Sequence, residues 1–226
     1  MSVHLRVDLP DRPGVLARLA DALARAGADV LSVAVSERSP GRATDDFLLE
    51  WPAPRSPDAL TAAVESVAGC QVLGLRRVAT VPDENPALDL VTHVLWQPHR
   101  ALETLVDMLP AFAGADWAVL LDRDEVRCLY GTPGTPAALP DRGSTSPTRA
   151  TAFAHVGGTG VTVPVGDTGL AIVVGRHEAP PFSRREIDEL IRLCDLTIAL
   201  TRVVLPQGST PPSRLTAALV SVAVRG

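Results

Sequence analysis

The sequence predicts an α+β chain with two domains, and three observations carry that expectation. A strictly alternating strand passes through a Pro-Gly turn into a helix of regular apolar spacing. A hairpin, a second helix and a further strand follow, giving βαββαβ within about eighty residues, the split βαβ or ferredoxin-like order. The polar stretch "VPDENPALD" then interrupts the pattern, and beyond it two hairpins are bracketed by helices. The predicted domains are residues 1–81 and 82–205, with a Pro-rich linker and tail over 206–226.

Each element has its own signal. Val3, Leu5, Val7 and Leu9 alternate with His4, Arg6 and Asp8, as a strand with one buried face requires. Val15, Leu16, Leu19, Leu23 and Ala26 recur at helical spacing while Arg18, Asp21 and Arg25 fall on the other side, and Gly27 supplies a left-handed stop. Val30 to Glu37 and Asp46 to Trp51 read as a hairpin reversed at Ser39, Pro40 and Gly41. Ser56 offers a cap, Pro57 a first helical position and Asp58 a dipole partner for a stripe of Leu60, Val64 and Val67 that ends near Gly69. Val72 to Val81 is the fourth strand.

In the second half, Asn85 caps a helix entered through Pro86, and apolar stripes lie on either side of Pro98. Because proline donates no N–H, two helices and one bent helix both remain open. Trp117 to Leu121 with Val126 to Tyr130, and Val161 to Val165 with Leu170 to Gly175, read as hairpins. The Pro-, Gly-, Ser- and Thr-rich stretch from Gly131 to Thr151 is a lid or a mobile segment. Ser183 with Glu186 opens a long helix through Ile187, Ile191, Leu193, Ile198 and Leu200. "PQGSTPP" sets off a tail, Leu215 to Val224, that reads as strand, helix or docking segment.

Composition excludes several classes. A formal charge of -5 with no basic stripe argues against direct nucleic-acid binding. All 21 basic residues are arginine, which removes Schiff-base lysines, pyridoxal phosphate attachment and the Walker lysine. Cys70, Cys128 and Cys194 form no CxxC and read as buried, reduced thiols. No segment approaches ~20 uncharged apolar residues, and charges at Arg6, Asp8, Asp11 and Arg12 do not suit a signal peptide, so a cytoplasmic location without membrane contact is expected.

Asp11, Arg12, Pro13 and Gly14, with Leu16 and Leu19 in the helix and Gly27, Asp29 and Val30 leading into the second strand, resemble the ACT domain family over Ser2 to about Thr80. That resemblance implies a regulatory module that pairs with a second copy. It also implies an amino acid bound between protomers, where the glycine-bearing turn meets strand two of the neighbour. The implied ligand residues are Asp11, Arg12, Pro13, Gly14, Val15, Leu16, Asp29 and Val30. Family members that bind amino acids often carry Asn where Asp29 stands, an acid that accepts from an ammonium but repels a second carboxylate. The second half is similar to GAF domains through "GADWAVLLDRDEVRCLYG", "VTVPVGDTGLAIVVG" and "FSRREIDELIRLCDLTIAL", although the middle is short and the cyclic-nucleotide signature with its lysine is absent. "GADWAVL" also echoes "GADVLSV", the mark of a repeated unit, but no Asp-x-Pro-Gly precedes it.

The physical reason for a ligand at the turn is the set of orphan amides at a helix N-terminus, whose dipole favours a carboxylate by about 0.3 to 1 kcal/mol. Gly14 permits close approach, by a ligand or by a neighbouring chain at an interface, and both readings stand. An amino acid there is expected to bind with roughly micromolar to millimolar Kd. Elsewhere, "HVGGTG" lacks the lysine of a phosphate loop and reads as a flexible loop. His4, His93, His99, His155 and His177 have no metal-ligand spacing, and Asp45, Asp46, Asp122, Asp124 and Glu125 read as solvated charge. No GxSxG or paired nucleophile and base is visible. The sequence thus predicts a non-enzymatic, cofactor-free, homodimeric sensor of a small molecule. Its rivals are a ligand-free scaffold that recruits a protein partner, and an enzyme with its pocket in the second domain.

Overall fold

A computed structural model describes residues 1–52, 56–78, 86–123, 127–139, 149–177 and 179–204. The chain forms two compact units, Met1–Val81 with Glu178–Arg185, and Pro82–His177 with Glu186–Gly226. Both are α+β. Asn85, Asp124, Glu125, the middle of the Gly131 to Thr151 stretch, the end of the fourth strand at Val81 and the tail Leu215 to Val224 lie outside the described residues.

The first unit runs β1 (Ser2–Pro10), α1 (Val15–Ala26), β2 (Asp29–Ser39), β3 (Arg42–Glu50), α2 (Asp58–Glu65) and β4 (Gln71–Val78). Its antiparallel sheet has the order β2-β3-β1-β4. Alternation explains the core: Val3, Leu5, Val7 and Leu9 of β1 and Phe47 and Leu49 of β3 are buried with Val15, Leu19 and Leu23 of α1 and Leu60 and Val64 of α2. Burial of each such side chain contributes about 1.5–3 kcal/mol. Leu16, expected on the same stripe, is instead exposed, because α1 turns only Val15, Leu19, Ala22 and Leu23 fully inward.

The opposite face of this sheet corrects the expectation of solvated acids. Arg6 is buried and clamps Asp46 through two bonds, Nε to Oδ1 at 2.6 Å and Nη2 to Oδ2 at 2.9 Å. Asp46 also accepts from the Ser36 hydroxyl, and His4 Nε2 lies 3.3 Å from its Oδ1. Arg6 Nη1 donates to Pro181 O at 3.1 Å. Pro180 rests on Gly74, where an added Cβ would meet its Cδ at 2.3 Å, so the residue 179–185 segment belongs to this unit's packing.

The second unit contains α3 (Pro86–Trp96), a 3₁₀ turn (Pro98–Arg100), α4 (Ala101–Ala113), β5 (Trp117–Asp122), β6 (Arg127–Gly131), β7 (Thr151–His155), β8 (Gly158–Pro164), β9 (Leu170–His177) and α5 (Arg184–Val204), the last from Glu186 on. Pro98 separates two helices, which resolves that alternative. The five strands are antiparallel in the order β6-β5-β9-β8-β7, a different architecture from the first unit, so the echo of "GADVLSV" does not mark a repeat. "HVGGTG" is not a flexible loop: it is the end of β7, a turn at positive-φ Gly157 and the start of β8. Cys70 and Cys194 are buried, but Cys128, on β6, is exposed, contrary to expectation. Among the described residues no helix is long and apolar enough to cross a membrane.

Candidate functional site

The turn after β1 is built by short-range bonds that use up some amides and leave others. Asp11 N donates to Gly41 O, Arg12 N to Pro10 O, Val15 N to Arg12 O and Arg18 N to Gly14 O. Pro13 has no N–H. Gly14 adopts φ 86°, a left-handed conformation that costs glycine little, and no side chain caps the helix. The amides of Gly14, Leu16 and Ala17 therefore carry no hydrogen bond within the described chain, and all three residues are exposed. The first turn holds no acid, and an Arg18 Nη1 atom lies 3.8 Å from where a Gly14 Cβ would sit. Bare donors, the positive end of the helix dipole and a nearby guanidinium suit this spot to an anionic group.

The other expected ligand residues are not beside it. β2 runs parallel to β1 across β3, so Asp29 is level with Glu50 and Ser2, while the turn follows Pro10, level with Arg42 and Ser39. Eight residues of strand, roughly 25 Å, separate the two ends. Asp11, Arg12, Pro13, Gly14, Val15 and Leu16 form one cluster, and Asp29 and Val30 stand at the far end of the sheet. Val15 contributes no free group, its side chain being buried and its amide bonded.

β2 is an edge strand, yet Leu31, Val33 and Val35 are 45%, 41% and 36% exposed, a concentration of apolar side chains that edges ordinarily avoid. One of its edge carbonyls, Val35 O, accepts from Arg185 Nη1 at 2.8 Å.

Asp45, expected as solvated charge, is instead buried. It pairs with Val7 and Val35 across the sheet and shares the helix-facing side of β3 with Ala43, Phe47 and Leu49. The residue is 3% exposed, its Oδ1 is enclosed, and neither carboxylate oxygen has a hydrogen-bond partner among the described residues. Burial pushes its carboxyl above the ordinary range, opposed by Arg38 and assisted by the charges of Asp46 and Asp11. Alternation of Ala43, Asp45, Phe47 and Leu49 was the signal that placed it inward.

In the second unit, Trp117 Nε1 and Thr162 Oγ1 are buried without hydrogen-bond partners among the described residues. Trp117 packs with Val119, Leu121 and Val173, and Leu139 and Phe153 join them; Thr162 pairs with Val173 across the strands. Gly175 gives the indole its room, since a Cβ there would meet Trp117 Cζ2 at 2.1 Å. The buried Cys194 thiol is pushed up to about 12 and is no nucleophile at neutral pH. Among the described residues no group of three or more His, Cys, Asp or Glu side chains could hold a metal ion.

Residues 3–69 match the ACT domain family, which is less than a third of the chain. No curated protein matches. Among solved structures, a formyltetrahydrofolate deformylase from Pseudomonas putida KT2440 is similar at 15% identity and TM-score 0.29, covering 42% of this chain and 38% of that one. GqqA, described as a novel type of quorum quenching acylase, is similar at 18% identity and TM-score 0.27, covering 34% and 42%. The chain thus spans about two fifths of either protein's length. The ligand-free regulatory subunit of aspartate kinase from Thermus thermophilus is similar at 15% identity and TM-score 0.28, covering 87% and 97%. At these scores none of the three bears on function.

Proposed function

We propose that the chain is a regulatory small-molecule sensor whose first unit pairs with a second copy along β2 and binds an amino acid at the α1 N-terminus. The observation that carries this reading is the trio of bare amides at Gly14, Leu16 and Ala17 in a segment matched by the ACT domain family. The apolar edge supports the pairing. An antiparallel β2 to β2 contact brings Asp29 of one copy toward Arg38 and Ser39 of the other, the end of the sheet where the glycine turn lies. The two clusters that stand apart in one chain then meet across the contact, with Asp29 and Arg38 complementary in charge. Pairing exchanges the Arg185 bond at Val35 for a strand partner. Ligand that bridges both copies shifts the population toward the paired arrangement by its differential affinity.

The second unit is read as a GAF-like module that binds a small molecule or a protein. Its support is the antiparallel sheet flanked by helices and the orphan donors of Trp117 and Thr162 on an apolar face.

Calorimetry of the intact chain against the twenty amino acids, with sedimentation of the free and liganded forms, tests the reading. Heat from at least one amino acid and a ligand-strengthened dimer are expected. Val33→Lys introduces a charge on the apolar edge and is expected to give monomers with unchanged circular dichroism. A dimer that binds none of the twenty would instead favour a ligand-free scaffold, which the apolar edge alone would suffice to build.

A further inference from the structure

We infer that Asp45 is the group that receives the ligand's ammonium, so that the site selects a zwitterionic α-amino acid over a plain carboxylate; this rests on the sensor reading above. A carboxylate on the helix-facing side of a sheet, 3% exposed and without a hydrogen bond on either oxygen, has no structural partner among the described residues. Structural acids of this unit look different, as Asp46 shows by receiving Arg6 and Ser36. A buried unpaired charge is retained at a cost to folding, and such a cost points to a group whose partner arrives from outside.

Position supports the same conclusion. Asp45 sits beside Val7 on β1, near the end from which the turn leaves, and Asp11 of that turn lies close enough for its charge to act on Asp45. With Oδ1 enclosed, Oδ2 is the oxygen a ligand can reach. The bare amides provide for one end of an amino acid and Asp45 for the other. A ligand carboxylate placed at Asp45 would be repelled, so the pair of recognition elements also fixes the ligand's direction. The charges around Asp45 are Arg38 on β2, Asp46 on β3 and Asp11 in the turn. A ligand ammonium would add to the attraction that Arg38 exerts on Asp45.

The test compares amino acids with the 2-hydroxy acids that carry a hydroxyl in place of the ammonium, by calorimetry on the wild-type chain and on Asp45→Asn. Wild type is expected to bind its amino acid at least tenfold more tightly than the matching hydroxy acid. Asp45→Asn is expected to lose at least tenfold for the amino acid and nothing for the hydroxy acid, which erases the preference. Asp45→Ser serves as a second variant, and circular dichroism of both verifies the fold. Undiminished amino-acid binding by both variants overturns the assignment of Asp45 and leaves the sensor reading intact. Equal wild-type affinity for acid and hydroxy acid does the same. Binding of neither class by wild type overturns both.

Discussion

Asp45→Asn is expected to make the first unit more stable at neutral pH while it weakens the site. The wild-type carboxylate is 3% exposed, and its enclosed Oδ1 has no donor among the described residues to compensate the water it lost. Leaving a buried polar group unsatisfied costs about 1–3 kcal/mol, with charged groups at the upper end or beyond, and an amide of the same shape carries no charge to desolvate. A gain of about 1–2 kcal/mol follows, which for a unit of this size is roughly 4–16 °C in Tm.

The pH dependence gives the prediction its sign. The folded carboxyl lies above its unfolded value because burial, helped by Asp46 and Asp11, outweighs Arg38. Below the unfolded value, about 3.9, both states are protonated and no penalty exists. As pH rises through the folded value, the wild type must bury the charge and loses stability that the Asn variant keeps. The Tm difference is therefore expected to be near zero below the unfolded value and to grow as pH rises through the folded value, in thermal melts followed by circular dichroism. A variant that melts below wild type at pH 7, or by a difference independent of pH, would refute the reasoning. With the expected rise in Tm and the expected loss of binding, binding and stability move in opposite directions at one residue, the pattern of a site held in an unfavourable state for its ligand.

Asp46→Ala removes the carboxylate that pairs with the buried Arg6 guanidinium and is expected to cost about 3–5 kcal/mol, measured by urea unfolding; a loss within the surface range of about 0–1 kcal/mol would show that the clamp is solvated. Thiol labelling of the folded chain near pH 8 is expected to modify Cys128 at once and Cys194 only on unfolding, because the first is exposed and the second is buried with its thiol pushed up to about 12.

The elements most legible in the sequence were those where one physical cause acts alone. The β1 alternation, the α1 stripe closed by Gly27 and the turn at Pro40 and Gly41 follow from side-chain period and backbone dihedrals. Where a polar group has an unseen partner, hydrophobicity misleads. Arg6 and Asp46 occupy the outer face as strand period requires, but their mutual clamp and the Pro181 carbonyl bury the guanidinium, which no local pattern reveals. The innermost face of α5 is Leu190, Leu193, Cys194, Thr197, Ile198 and Thr201, offset from the apolar stripe. Its threonines tolerate burial because Thr197 Oγ1 and Thr201 Oγ1 donate to the carbonyls four residues back. β7 was missed since its only large apolar side chain is Phe153, and an edge strand needs no second one. At the turn, the sequence indicated which residue types leave amides bare, while the pairing of particular donors and acceptors needed coordinates. Asp45 was hidden by its charge, although its place in the alternation was plain.

The most direct test is amide NMR of the ¹⁵N-labelled chain during titration with the amino acid that gives heat. The account predicts that the Gly14, Leu16 and Ala17 resonances move first and saturate together, since these N–H groups gain an acceptor. Saturable binding that leaves all three unmoved would contradict it.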